Sequence, residues 1–296
     1  MIATGIGIGF AFVAMLCWGF GDFMIQRSSR KIGDWETLFV ITLFGAVILL
    51  PFCWDTLVSS TALAGAAGFL LVACGLLYFI GSLLDFESLR IGKITVVEPI
   101  WSFEIIVSAI MAFFVLGERL SAEQIALIAI LIAALILVSV KDWHVFRSHK
   151  ILLEKGTLMA LAAALTMGIV NFFIGWGSRM TDPILVNFII NSIVALGCGI
   201  YLVRNGKMGK LGRDIKENPK MLVPMMISDN VAWVAFAFSM SLAPIGVAVA
   251  LSESYIIVAV LLGFFVSRER IRAHQKLGLA AAIIAAVTLA SVTRGF

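Results

Sequence analysis

The sequence predicts an all-α polytopic membrane protein, with ten transmembrane helices in two inverted five-helix repeats. Three observations predict this. Of 296 residues, 61% are hydrophobic and only 14% charged, and the mean hydropathy is +1.06. A soluble domain is nearer half apolar and a quarter charged. The apolar residues gather in ten runs of about the 20 residues that a bilayer crossing requires. Finally, the polar stretch from Lys141 to Lys155 divides the runs five and five, and a short motif recurs at an offset of 151 residues.

Taken in order, the first run covers 4–25 and carries Trp18 and Asp22. It lacks the basic start of a secretory signal and is long enough to be retained as a span. Runs at 36–54 and 61–84 follow, then 94–115, which holds Glu98, Pro99, Trp101 and Glu104. The fifth covers 122–140 and closes the first half. The second half reads 156–176 with Asn171, 183–203 with Asn187 and Asn191, and 221–242 with Asp229, Asn230 and Trp233. It ends with 246–267, carrying Glu253 and Tyr255, and 273–292. The 26 glycines suit close helix crossings. No glycine cluster sits beside the Gly-Lys-Ser/Thr pattern of a phosphate cradle. Apart from the midpoint stretch, the longest polar connection is Arg204 to Lys220.

The recurring motif is Leu116-Gly117-Glu118-Arg119-Leu120 with Gln124, against Val266-Ser267-Arg268-Glu269-Arg270-Ile271 with Gln275. It places Glu118 on Glu269 and predicts repeats at 1–145 and 151–296. Five spans is an odd number, so the second repeat enters the membrane inverted, a recurrent carrier architecture.

Charge sets an expected orientation. Connections after odd-numbered spans hold 19 of the 22 basic residues; only Arg119, Arg179 and Arg294 lie on the other side. The positive-inside rule then puts both termini outside the cell. The same clustering reads as contact with anionic lipid, not nucleic acid. Cys17, Cys53, Cys74 and Cys198 sit in or beside apolar runs without ligand spacing, and the three histidines form no cluster. Neither a metal site nor a cofactor is expected.

Five acids fall within or just inside the spans: Asp22, Glu98, Glu104, Asp229 and Glu253. No Lys or Arg lies deep in any span. A carboxylate at that depth needs a wet cavity, a cation or a proton. Glu104 and Asp229 are the deepest; Asp22 serves equally well to anchor a helix end. Pro99 has no N–H and opens the helix toward Thr95, the physical use of a broken helix beside a transport site. Trp18, Trp101, Trp176 and Trp233 offer apolar faces, and the asparagines offer amides.

The whole chain resembles the drug/metabolite transporter superfamily, in its ten-span branch with two EamA-like repeats. The resemblance rests on Cys17-Trp18-Gly19, Glu98-Pro99-Ile100 and Leu116-Gly117-Glu118-Arg119-Leu120-Ser121. The later Arg268-Glu269-Arg270, followed by Gln275 and Gly278, is similar to a second copy. It implies a central cavity built from spans 1, 3, 4, 6, 8 and 9 that opens alternately to each side. It also implies that Trp18, Glu98 and Pro99 serve the cavity, while Glu118 and Glu269 organise the turns after the fourth and ninth spans. Both termini would be cytoplasmic, opposite to the charge count. The second half lacks the corresponding proline near Ser254, so a matched pair of helix breaks is not predicted.

The expected activity is secondary transport of a small organic metabolite, by export or proton-linked exchange of an amino-acid-like, cationic or amphiphilic solute. The expected site is Trp18, Asp22, Glu98, Trp101, Glu104, Asn171, Asp229, Asn230, Trp233, Glu253 and Tyr255, with Pro99 as the break. The expected partners are the solute, protons and membrane lipids, in a multi-pass protein of a prokaryotic plasma membrane. One chain suffices to enclose the site, and a homodimer is compatible. Passive facilitation and a membrane-embedded lipid-modifying enzyme are the rivals. The enzyme would use the interfacial Asp85, Glu87, Arg90 and Lys93. A structural membrane protein fits less well, because scaffolding alone does not require repeated desolvation of acids.

Overall fold

The computed structural model describes residues 2–59, 65–91, 94–140, 155–265 and 272–294, and those residues form thirteen α-helices. The first repeat runs α1 (Ile2–Ile32), α2 (Asp34–Val58), α3 (Ala66–Ile91), α4 (Ile94–Trp101), α5 (Phe103–Leu116) and α6 (Ala122–Ser139). The second runs α7 (Lys155–Met180), α8 (Pro183–Arg204), α9 (Met208–Glu217), α10 (Pro219–Leu242), α11 (Ile245–Ser252), α12 (Tyr255–Phe265) and α13 (Ala273–Arg294). Ten stretches are long and apolar enough to cross a membrane, and two of them, the fourth and ninth spans, are interrupted helices. The polar connection expected from Arg204 to Lys220 is not all loop: it contains α9, whose polar composition hid a short helix.

The repeat is visible in the helix boundaries. α11 begins and ends 151 residues after α4, and α13 begins 151 residues after α6. It is visible again in the packing. Interchanging the halves carries each major helix pair onto another observed pair: α1 against α10 becomes α7 against α3, and α1 against α12 becomes α7 against α5. The pairs α2 with α8 and α6 with α13 map onto themselves. That is the signature of a pseudo-two-fold axis, and the five spans of each half set the two in opposite orientations, as inverted repeats.

Local chemistry explains the shared ends. Gly117 adopts φ 67°, a left-handed conformation that glycine takes at least cost, so the Glu118 N–H turns back to the Ala112 carbonyl at 3.1 Å. Ser121 then caps α6 in a capping box: its hydroxyl accepts from the Gln124 N–H and its own N–H donates to Gln124 Oε1. Arg272 donates to Gln275 Oε1 in the same way at the start of α13. Each glutamine also reaches its neighbour helix, Gln124 donating to Thr293 and Gln275 to the Val138 carbonyl. Asp182 caps α8, accepting from the Ile184 and Leu185 N–H groups at 2.8 and 3.0 Å.

Phe69, Phe114 and Ile284 present large apolar surface outward, which a lipid-facing surface requires. Helix association in lipid rests on close packing and interhelical hydrogen bonds, since the tails are as apolar as the side chains. α1, at 31 residues, is about 46 Å long and overruns a hydrocarbon core of about 30 Å. Its last turns, bearing Arg27, Arg30 and Lys31, therefore emerge on what is here called the basic face.

Candidate functional site

The two interrupted spans meet the same end by different chemistry. In the fourth span Pro99 lies in α4, and the helix is interrupted at Ser102. In the ninth span Ala250 stands at the place of Pro99 by the 151-residue offset, yet the helix still breaks, at Glu253 and Ser254. The Ser254 hydroxyl donates to the Ala250 carbonyl at 2.8 Å, in place of the normal main-chain bond. The Ser254 N–H is displaced onto the Leu251 carbonyl at 3.3 Å, and the Ile257 N–H donates to the Ser254 carbonyl at 2.9 Å. Serine back-bonding of this type bends helices. A pair of breaks at equivalent positions is thus present without a second proline, which the sequence did not predict.

Glu104 sits one step past the first break, half-buried, and its Oε2 accepts from Asn171 Nδ2 at 3.1 Å. Asp85 of α3 and Glu253 at the second break lie within electrostatic range of it. Carboxylates of the third, fourth and ninth spans therefore share one electrostatic neighbourhood. Around it, Trp101 Nε1, Ser102 Oγ and Asn171 Oδ1 are buried and accept or donate no hydrogen bond. Such orphaned groups are costly unless a ligand or water meets them.

An aromatic cluster adjoins the acids. Trp18 meets Trp233 and Phe236 edge-on, each at 4.9 Å between centroids, and Tyr255 at 6.3 Å. Tyr78 adds a fifth ring, 5.1 Å from Trp233. Tyr78 and Asp85 lie seven residues apart on α3, hence on one face and about 10 Å apart along its axis. Tyr255 likewise follows Glu253 closely at the break. Taken together, the acids, Asn171 and the rings come from spans 1, 3, 4, 6, 8 and 9.

Other expected site residues have different neighbours. Asp229 is buried on α10, one turn before Trp233. Asn230 is a clasp: it donates to the Ile41 and Met226 carbonyls at 3.1 and 2.9 Å and accepts from Asn191 at 3.2 Å. Asn187 donates to the Pro183 and Trp233 carbonyls. Trp176 packs with Phe172 and Phe173. Asp22 and Glu98 lie in α1 and α4, but their side chains are outside the described residues, as is all of Glu269. Sequence reasoning missed Tyr78 and Phe236, and it read Asp85 as a boundary charge of an interfacial cluster. The seven-residue spacing of Tyr78 and Asp85 was the available signal.

Glu118 sits in the α5–α6 turn, and its carboxylate crosses from there to the other repeat. Oε2 accepts from the Ile245 N–H at 2.9 Å, capping α11, and Oε1 accepts from Arg179 Nη2 at 3.0 Å. Arg179 in turn donates to the Met240 and Ala243 carbonyls, both at 2.8 Å. The network fastens the α5–α6 turn, the end of α7 and the α10–α11 turn on the face away from the basic one.

Comparison with known proteins gives three findings. The model of the EamA-like transporter family matches residues 5–140 and 154–291. No curated relative matches the chain in sequence. Among solved structures, one described only as "Crystal structure of protein" superposes with a TM-score of 0.73, covering 97% of this chain and 98% of its own, at 13% identity. At that identity the likeness speaks to the fold alone.

Proposed function

Since the chain belongs to the EamA-like transporter family, on two matches that together span most of its length, we propose that it is a secondary carrier for a small organic solute, cationic or amphiphilic, exchanged against protons. The observation that carries this reading is Glu104, one carboxylate oxygen held by Asn171 and with Asp85 and Glu253 within electrostatic range. Acids assembled from several spans, with no Lys or Arg deep in the sequence of any span, attract a cation or bind a proton.

Asn171 occupies Oε2 of Glu104, which leaves Oε1 for the exchanged species. A proton on that oxygen and a solute cation beside it compete for the same negative charge. Release of one favours capture of the other, and no nucleotide is consumed. The rings of Trp18, Trp233, Tyr78 and Tyr255 supply apolar and cation-attracting faces to the organic part of the solute. The breaks at Ser102 and Glu253 set interrupted helix ends close in sequence to Glu104 and Glu253, as discontinuous helices do at carrier sites. The setting is a multi-pass protein of a prokaryotic plasma membrane, and a single chain encloses the site.

The test has two stages. Binding of candidate metabolites to purified protein first identifies a solute. Vesicles holding the protein then receive the solute with and without a pH gradient at clamped voltage. A coupled carrier concentrates the solute and moves protons when a solute gradient is imposed. Dissipation of the solute gradient without proton flux would replace exchange by passive facilitation.

A further inference from the structure

A second feature lies on the basic face, toward the end of α3 beyond Asp85. There a cavity of about 630 Å³ is lined by the end of α1, the start of α2, the end of α3 and the α8–α9 corner. Its cations are Arg30, Lys31, Lys207 and Lys210; its acids are Asp34, Glu36 and Glu87. Glu36 is buried and bound by Lys207 at 3.3 Å, and the same ammonium sits 5.4 Å from the Tyr201 ring. That pair is self-satisfied. Arg30, Lys31 and Lys210 are exposed and turn toward the cavity against Asp34 and Glu87.

One side of this cavity adjoins aromatic and aliphatic side chains. A smaller adjoining cavity of about 60 Å³ is lined by Trp35, Leu38, Leu83 and Phe86 as well as Asp34 and Glu87. α2 and α3 each pack on α8, and this small cavity lies between their basic-face ends. Trp35 stacks on Tyr201 at 3.9 Å and meets Phe79 edge-on at 5.9 Å, making an aromatic wall at interfacial depth. Beside the mouth, α9 is anchored by buried Leu211 against Ile32, Leu202 and Leu222, and it holds Lys210, Arg213 and Lys216 outward. A basic amphipathic helix at this level matches an anionic membrane surface.

A charged mouth beside an aromatic wall matches the headgroup and glycerol region of a phospholipid. We propose that this is a binding site for an anionic phospholipid, its phosphate held by Arg30, Lys31 and Lys210 and its glycerol region set against the Trp35–Tyr201 wall. Each cation near such a surface contributes about 1 kcal/mol, and with Asp34 and Glu87 offsetting part of that, the three set a preference of at least about tenfold over a zwitterionic lipid. The inference is independent of the transported solute.

The experiment uses the full-length protein, stripped of lipid in detergent. It is titrated with short-chain phosphatidylglycerol, short-chain phosphatidylcholine or inorganic phosphate, with the thermal midpoint and native mass spectrometry as readouts. Phosphatidylglycerol should bind saturably and raise the midpoint, phosphatidylcholine should bind at least tenfold more weakly, and inorganic phosphate should neither stabilise nor displace the lipid. R30A/K31A/K210A should lose at least tenfold in affinity for phosphatidylglycerol, whereas R213A/K216A, outside the cavity, should stay within threefold of the parent. If the triple variant does not fold, Lys210→Gln alone should lose about fivefold. Equal binding of the two lipids, displacement by inorganic phosphate, or unchanged affinity in the cavity variants would each overturn the proposal.

Discussion

Glu118→Ala tests the bond between the two repeats. The carboxylate makes two charge-assisted hydrogen bonds, to the Ile245 N–H at 2.9 Å and to Arg179 Nη2 at 3.0 Å. The side chains of Arg179 and Glu118 are 29% and 15% exposed, so the pair is neither a free surface bridge nor a dry buried one. Exposed pairs couple by up to about 1 kcal/mol, and loss of one partner of a buried pair costs about 3–5. A coupling near 1 kcal/mol follows for this intermediate site. The cap on α11 adds about 1 kcal/mol. Glu118→Ala should therefore cost about 2 kcal/mol, and Glu118→Gln, which keeps an acceptor for the Ile245 N–H, about half of that. Arg179→Ala forfeits the Met240 and Ala243 carbonyls as well and should cost the most. The assay is reversible unfolding in mixed micelles, followed by helical signal, on the two single alanine variants and the double. A cycle coupling within about 0.3 kcal/mol of zero would refute the bridge, and equal losses for Glu118→Gln and Glu118→Ala would refute the cap. If this face opens during transport, loosening it by about 1 kcal/mol shifts the open population roughly fivefold.

Three further outcomes are expected. Glu104→Gln should retain the fold and Asn171 contact but abolish solute-driven proton flux in vesicles; undiminished flux would move the exchange site elsewhere. Ser254→Ala should let the main-chain bond to Ala250 re-form and straighten the ninth span, seen as a longer distance between spin labels at Ile245 and Phe265, while Ser254→Thr preserves the bend. Labels that report the same distance in the alanine variant would show that the break does not depend on the hydroxyl. Reporters fused to each terminus should sit outside the cell if the placement of basic residues governs insertion; two cytoplasmic reporters would mean that another determinant overrides it.

What could be read from the chain was whatever depends on local or additive properties. The ten spans follow from runs of apolar residues, and the paired capping glutamines follow from spacing, since Gln124 and Gln275 each act on a residue three positions away. The depth of Glu104 follows from counting along one helix. What could not be read depends on a distant partner. Asp85 looks like a boundary charge until Glu104 is set opposite it, and Glu118 looks like part of a turn until Ile245 and Arg179 arrive from the other repeat. α9 escaped notice for another reason. Its sequence is polar and short, and only the buried Leu211 ties it to the bundle.

The symmetry of the backbone and the asymmetry of the chemistry answer different demands. Helix ends recur at 151 residues because each repeat must solve the same packing problem in lipid, once in each orientation. The side chains at the breaks do not recur. By the same offset Pro99 faces Ala250, Trp101 faces Ser252 and Glu104 faces Tyr255. The second repeat's acid, Glu253, falls on Ser102 by that offset, so the carboxylates within electrostatic range of Glu104 are not symmetry mates. Here one repeat supplies Glu104, while Tyr255 of the other joins the aromatic cluster at Trp18. Both breaks recur because they belong to the repeated backbone, and a discontinuous helix in each half is an arrangement that carriers built of inverted repeats commonly use.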